Sequence, residues 1–416
     1  MNRFSRREYL RLMASGMIGD AVYSTHSIQA NQSVEAKSVA AVVSVYYYNS
    51  HADVILGKIL NGWLQDGGLG PALTLASLYV DQFPDGDLAR SQSAQHGFPI
   101  FDSIEKAVTV GGNSIPVDGV LCICEHGDYP YNELGQHLYP RRRFFDEIAN
   151  AFEKYDRVVP VFNDKHLGPT WSDAKAMYDR AQTLKIPFMA GSSLPVGYRT
   201  SPINVPMGSE IEAAVGIGYS GLDVYGIHAL EFYQCHVERR QHAEQGVKSV
   251  QCVQGDAIWK AVDDGVVQKD VLEAAFAAVP KSGMPNMRQD DQATLFLFEY
   301  IDGLQGSLFM FSCVSGTSVA LKIKGQPQPL ATAFDERSVP RHPHFAYLLK
   351  AIECMIHTGR PTYPVERTFL TSGILDRSLC SLQGGSTKRV TPELSIAYTP
   401  IDYPYAQLAD LQSRPL

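Results

Sequence analysis

The order of apolar runs between residues 39 and 190 constrains this chain more than any other feature. Val39–Tyr47, Leu73–Val80, Val117–Cys124, Val158–Phe162 and Pro187–Ala190 are short apolar runs. Between them stand segments of helical period: His51–Leu64, Leu88–His96, Ser103–Val110, Arg142–Tyr155 and Ser172–Leu184. Strands that are apolar throughout are covered on both faces, the condition of a parallel sheet between helix layers. The alternation predicts an α/β fold with a Rossmann-like, doubly wound parallel sheet. Such sheets bind ligands beyond the carboxyl ends of their strands. There the sequence places Tyr46, Tyr47, Tyr48, Asn49, Ser50 and His51, then Asp81, then Glu125, His126, Gly127 and Asp128, then Asn163, Asp164, Lys165 and His166.

The second half reads differently. Glu210–Ile217, Lys248–Val253, Ala293–Tyr300, Gly306–Cys313 and Ser318–Lys324 have the character of strands, with Asp302 and Gly303 at a hairpin turn. His228–Gln241 and Val271–Ala278 are helical in period. This predicts a C-terminal α+β domain with a mostly antiparallel open sheet. Phe345–His357, stopped at Gly359 and Pro361, and Val365–Leu382 close the chain as helices. The expected organisation is a segment 1–37 outside the fold, a Rossmann-like domain 38–200, an α+β substrate and oligomerisation domain 201–340, and helices and tail 341–416 packing back on both. In the first segment Ser5, Arg6, Arg7, Glu8, Tyr9, Leu10 and Arg11 match a twin-arginine export signal. Export, to a periplasm for instance, is the expectation; a cytoplasmic location follows if the signal is not functional.

Composition narrows the partners. Lys and Arg number 36 against 44 Asp and Glu, a net charge of −8. That balance argues against a nucleic-acid partner, which calls for a basic surface. No run of about 18 apolar residues suggests a membrane span. Seven cysteines with no CxxC pair suggest neither a disulfide framework nor structural zinc.

Four motifs in this order resemble the Gfo/Idh/MocA family of glucose-fructose oxidoreductases and inositol dehydrogenases, over about residues 39 to 385. Asn163, Asp164, Lys165 and His166 stand where the family has Glu-Lys-Pro. Gly226, Ile227 and His228 resemble its Gly-Val-His. The Asp302–Gly303 hairpin is the third motif, and Gly359, Arg360 and Pro361 resemble its closing turn. The resemblance implies an oxidoreductase that moves hydride between NAD or NADP and a sugar or cyclitol hydroxyl, and a homo-oligomer formed through the open sheet. It implies that Lys165 touches the nicotinamide ribose and the substrate hydroxyl, and that His228 takes the proton. The family's aspartate four residues before this histidine falls on Val224, with Asp223 one position off.

The chain departs from the family where the cofactor should bind. No glycine lies between Ala41 and Leu56, so the Gly-x-Gly-x-x-Gly loop that lets backbone approach a pyrophosphate is absent. A dinucleotide would have to rest on hydroxyls such as Ser50 and on His51, Glu125 and His126. Asp81 stands where an acidic residue meets ribose hydroxyls, which favours NAD over NADP; a strand-end cap is the plainer role.

The candidate catalytic residues are therefore Lys165, His228, Asp164 and Asp223, with cofactor contacts from Asp81, Ser50, His51, Glu125 and His126. Substrate contacts are expected from His166, Glu231, Asp128 and Trp171, with Glu231 one helical turn after His228 and able to fix its tautomer. Lys165 could instead be a solvated loop lysine, and His228 a core histidine. Glu125, His126 and Asp128 with Asp164 and His166 suit a sugar-facing site, a metal or a structural network. No metal is assigned. Arg141, Arg142 and Arg143 read as a helix-entry surface. The alternatives to an oxidoreductase are a hydrolase, lyase or epimerase on the same fold, with or without metal, and a non-catalytic carbohydrate-binding protein.

Overall fold

In β1 (Lys37–Val43), Val39, Ala41 and Val43 face one apolar cluster while Ala40 and Val42 face another. Side chains alternate along a strand, so this one is clad on both sides. The computed structural model describes residues 35–282 and 286–415; the twin-arginine-like motif lies outside them. After β1 come α1 (His51–Asn61), β2 (Leu73–Val80), α2 (Ala89–His96), β3 (Ile100–Phe101), α3 (Ile104–Thr109) and β4 (Gly119–Ile123). The first half closes with α4 (Arg141–Lys154), β5 (Val161–Asp164), α5 (Trp171–Leu184) and β6 (Phe188–Gly191). The six strands pair in the order β3-β2-β1-β4-β5-β6, all parallel. That is the doubly wound sheet the sequence predicts. Side-chain oxygens of Ser50, Ser103 and Thr170 cap α1, α3 and α5, satisfying backbone N–H groups that a helix start leaves free.

The second half holds β7 (Arg199–Thr200), β8 (Ile211–Tyr219), α6 (Gly226–Val237), β9 (Val247–Gln254), α7 (Asp256–Asp263) and α8 (Lys269–Ala278). It continues with β10 (Thr294–Tyr300), β11 (Gln305–Phe311), β12 (Ser318–Ile323), β13 (Leu330–Phe334), α9 (His344–Thr358), α10 (Val365–Gln383) and β14 (Arg389–Val390). Eight strands pair in the order β14-β9-β10-β11-β8-β12-β13-β7. All neighbours are antiparallel except β8 and β11. α6 and α10 cover one face. The other face is not bare: Val215, Ile217, Leu295 and Phe309 pack against Ile258 of α7 and Val271 and Leu272 of α8. α9 returns to the first sheet, where Leu348, Leu349 and Ile352 join the cluster of Val39 and Val43. Among the described residues no helix is long and apolar enough to cross a membrane.

Candidate functional site

The carboxyl ends of β1, β4 and β5 face the start of α6 and the end of β8 across a cleft of about 270 Å³. Of the residues singled out from sequence, Lys165, His228, His51, Glu125 and His126 line it. Lys165 leaves β5 with φ +62°, and His126 leaves β4 with φ +68°. Left-handed backbone is uncommon for such residues and gathers where function imposes it.

Lys165 Nζ donates to Glu125 Oε1 at 2.7 Å, and Arg141 Nη2 donates to Glu125 Oε2 at 2.5 Å. Glu125 is 2% exposed and Arg141 0%. Burial alone would raise the Glu125 carboxyl; the two cations outweigh it and hold it well below its ordinary range. Glu125 is thus a fixed anion that accepts only. Arg141 also points Nη1 at His166 Nε2, 3.4 Å away.

A second pair stands beside this triad. His51 Nδ1 lies 2.6 Å from Asp164 Oδ2, with Asp164 wholly buried and His51 on the cleft wall. Asp164 therefore reaches the cleft through His51. From the facing sheet, His228 lines the cleft with its Nδ1 buried and unpartnered. Burial, then the positive field of Lys165, keeps this imidazole neutral. His126 is lowered to about 4, by burial and then by His51.

The remaining candidates lie elsewhere. Asp223 accepts from the His137 N–H at 3.0 Å and is not in the cleft lining, although Val224 is. Glu231 does not orient His228; its oxygens accept from Ser192 N and Thr368 Oγ1, each at 2.7 Å, tying β6 to α10. A Cβ on Gly191 would meet Glu231 Oε1 at 2.6 Å, which explains a glycine at φ +124° there. His166 is buried behind Arg141, and Trp171 stacks on Phe369 in the core with ring centroids 4.7 Å apart. The exposed Asp128 carries a loop contact through its backbone.

The sequence reading missed Arg141, which is core and not surface. The signal was present: Phe144, Phe145 and Ile148 follow at three, four and seven positions and define the buried face of α4. His342 and His344, which the sequence offers as a loop before a helix or as a metal clip, line the cleft, His342 from the loop before α9 and His344 from its first position. Burial lowers His344 to about 3.

The residues at the crest of β1 do not fit a dinucleotide. The Tyr46 side chain is buried in the core, and its carbonyl accepts from Leu88 N at 2.7 Å. Ser44 O accepts from Gln82 N at 2.9 Å, so the loops after β1 and β2 are stitched together. Ser50 Oγ serves as the cap of α1. The buried Asp53 carboxylate takes Asn49 N at 2.8 Å and Arg341 Nη2 at 2.6 Å, so the first turn of α1 already holds an anion of the chain's own. Asp81 is occupied too: Oδ1 accepts from Arg143 Nη2 at 2.6 Å and Tyr79 OH at 2.7 Å, and Oδ2 from Tyr129 OH at 2.8 Å. Gln82 and the Asp128 backbone exchange two hydrogen bonds, 2.9 and 3.0 Å, across the same crevice. Among the described residues no group of three or more His, Cys, Asp or Glu is arranged to hold a metal ion.

No protein-family model matches the sequence, and no curated protein matches it. Solved structures share its fold. GenD2 from gentamicin A biosynthesis, crystallised in complex with NAD, superposes with a TM-score of 0.55 at 11% identity, over 86% of this chain and 97% of its own. Apo scyllo-inositol dehydrogenase from Lactobacillus casei gives 0.53 at 9% identity, over 86% and 98%. A myo-inositol dehydrogenase from Corynebacterium glutamicum ATCC 13032 gives 0.52 at 13%, over 85% and 98%. The chain has the two-sheet fold of Gfo/Idh/MocA-type dehydrogenases.

Proposed function

We propose that the cleft acts on a small polyhydroxylated carbonyl compound, of the sugar or cyclitol class, by moving a proton at the carbon beside the carbonyl, as an epimerase or lyase does. The observation that carries this reading is the His51–Asp164 pair, 2.6 Å apart at the cleft wall. A buried carboxylate that accepts the Nδ1 proton leaves Nε2 with a lone pair, the form a general base needs. His51 takes the C–H proton, and the electron pair moves to the carbonyl oxygen. The Lys165 ammonium, held by Glu125, stabilises that oxyanion. A proton delivered by water to the other face, with His51 returning its own proton to solvent, gives the epimer; expulsion of the hydroxyl on the next carbon as water, with the proton His51 has taken, gives the elimination product. His228 offers the intermediate a neutral hydrogen-bonding partner from the facing sheet. Glycoside hydrolysis fits less well, because it asks for a carboxylic acid that holds its proton, and Glu125 is held ionised.

The second reading is hydride transfer with NAD or NADP, with Lys165 polarising the hydroxyl and His228 accepting its proton. It is favoured by the fold shared with GenD2, which was crystallised with NAD. The filled crest of β1 weighs against it.

The experiment is deuterium exchange in D₂O, followed by proton NMR on a panel of ketoses, aldoses and cyclitol ketones. Expected is exchange beside the carbonyl without added nucleotide, reduced about 10²- to 10⁴-fold in His51→Ala. Turnover that appears only with NAD or NADP, read at 340 nm, replaces this reading with the second.

A further inference from the structure

Tyr219, at the end of β8, and Tyr225, just before α6, bring their rings to 4.8 Å between centroids, tilted by 54°. Tyr219 OH donates to Glu336 Oε2 at 3.2 Å. All three residues line the cleft, and they reach water as well: Glu336 is exposed, Tyr225 is 36% exposed and Tyr219 half-buried. The Tyr225 ring stands 6.3 Å from the His228 imidazole, so this corner adjoins the reacting end of the cleft.

Glu336 has no cation of the chain's own. Among the described residues the Tyr219 hydroxyl is its hydrogen-bond partner and it enters no ion pair. Arg337 beside it is bound to Asp335 at 2.6 Å and lies 4.0 Å over the Tyr198 ring. His342 feels the Glu336 charge, but burial lowers its imidazole, which is therefore neutral near pH 7 and no counter-ion. A carboxylate set beside two tilted phenol rings suits an organic ammonium group, whose charge the carboxylate meets and the ring faces attract.

The same cleft has nothing free for an anion. Lys165 is the one Lys or Arg in its lining, and Glu125 holds that ammonium at 2.7 Å. The proposed chemistry assigns it to the carbonyl oxygen. Arg141 and Arg341 are bound to Glu125 and Asp53. A phosphate or carboxylate on the ligand would give up its hydration without a cation to meet it, and would do so beside Glu336.

We infer that the substrate is an amino sugar or aminocyclitol, its ammonium group in the corner of Tyr219, Tyr225 and Glu336 and its carbonyl at Lys165; this rests on reading the cleft as a sugar or cyclitol site. The corner sets the charge of the ligand, and the deep end sets its chemistry.

The test is calorimetric titration of the full chain at about pH 6.5, where an amine of this kind holds its proton. The probes are 6-amino-6-deoxy-D-glucose, D-glucose and D-glucuronate, aldoses that differ only at the terminal carbon as ammonium, hydroxyl and carboxylate. Expected is an amino sugar bound about five- to tenfold more tightly than glucose, with glucuronate weakest. Added salt narrows the gap, since the corner is open to solvent. Glu336→Gln, a change at an exposed side chain, is expected to level the amino sugar with glucose, and Tyr225→Ala to weaken the amino sugar about threefold. Glucose bound as tightly as the amino sugar, glucuronate bound as tightly as glucose, no binding of the amino sugar, or a preference that survives Glu336→Gln overturns the inference. The readout is binding, so it separates from the chemistry. Charge preference without deuterium exchange removes the proton-transfer reading alone, and exchange without charge preference removes this inference alone.

Discussion

Glu125 is surrounded by two cations, and its energetics follow from that. The Lys165–Glu125–Arg141 triad is buried, so each charge depends on the others for the solvation it has given up. Glu125→Gln leaves both cations uncompensated and is expected to cost about 3–5 kcal/mol in denaturant unfolding. A loss below 1 kcal/mol would mean water reaches the triad. Acid acts in the same sense. His126 and His344 are held near 4 and 3, below their ordinary 6.5. As pH falls from 6.5, the unfolded chain takes up protons that these folded imidazoles refuse. Stability is therefore full above about 6.5 and declines toward 4, by up to about 1.4 kcal/mol per pH unit for each residue. Glu125, lowered from 4.5, adds to the decline at still lower pH. Urea midpoints against pH check this, with His344→Gln expected to flatten the slope. The sequence showed Lys165 and His228 because their motifs are local. It hid the His51–Asp164 pair, because those residues sit 113 positions apart on different strand exits.

At the scale of elements, the loop from β1 into α1 decides what the first sheet can hold. A missing glycine was legible from the residues alone. The stitching was not: Gln82 to Asp128 and Arg143 to Asp81 are long-range contacts with no periodic trace. Together they predict that NAD or NADP leaves the protein's melting temperature unchanged. A nucleotide present at a hundred times its Kd would add about 2.7 kcal/mol, a shift of several degrees in differential scanning fluorimetry. Such a shift would show that the loops part to admit it. The cap of α1 gives a milder check: Ser50→Ala is expected to cost about 1 kcal/mol. The covered face of the second sheet came late for a similar reason. α7 reads poorly in sequence, being short, and only the fold reveals that it and α8 lie over β8–β11. Any association through that face would have to displace them.

For the molecule as a whole, the two sheets share their interior. One apolar cluster runs from Ala40 and Val120 of the first sheet through Trp171 and Phe369 to Phe296 and Phe298 of the second. α10 is the strut in this arrangement. Its Arg367 is buried against Glu238 at the end of α6, its Thr368 Oγ1 lies 3.0 Å from the Ala190 carbonyl oxygen, and its Ser381 Oγ accepts from Cys252 N in β9 at 3.0 Å. α9 binds the other side of the first sheet although it follows the second in sequence. Neither sheet can then lose its helices without exposing the other's core. Residues 36–416 are expected to unfold in one calorimetric transition, with van't Hoff and calorimetric enthalpies equal. Arg367→Met removes one partner of a buried pair and should lower that single transition by about 3–5 kcal/mol of stability without splitting it. Two resolved transitions would mean that the sheets are separable, and the cleft between them would then be a hinge instead of a fixed wall. A fixed wall is what the proposed proton transfer requires, with His51 at the carbon and Lys165 at the carbonyl oxygen, because a displacement of about 1 Å in such a geometry costs about a hundredfold in rate.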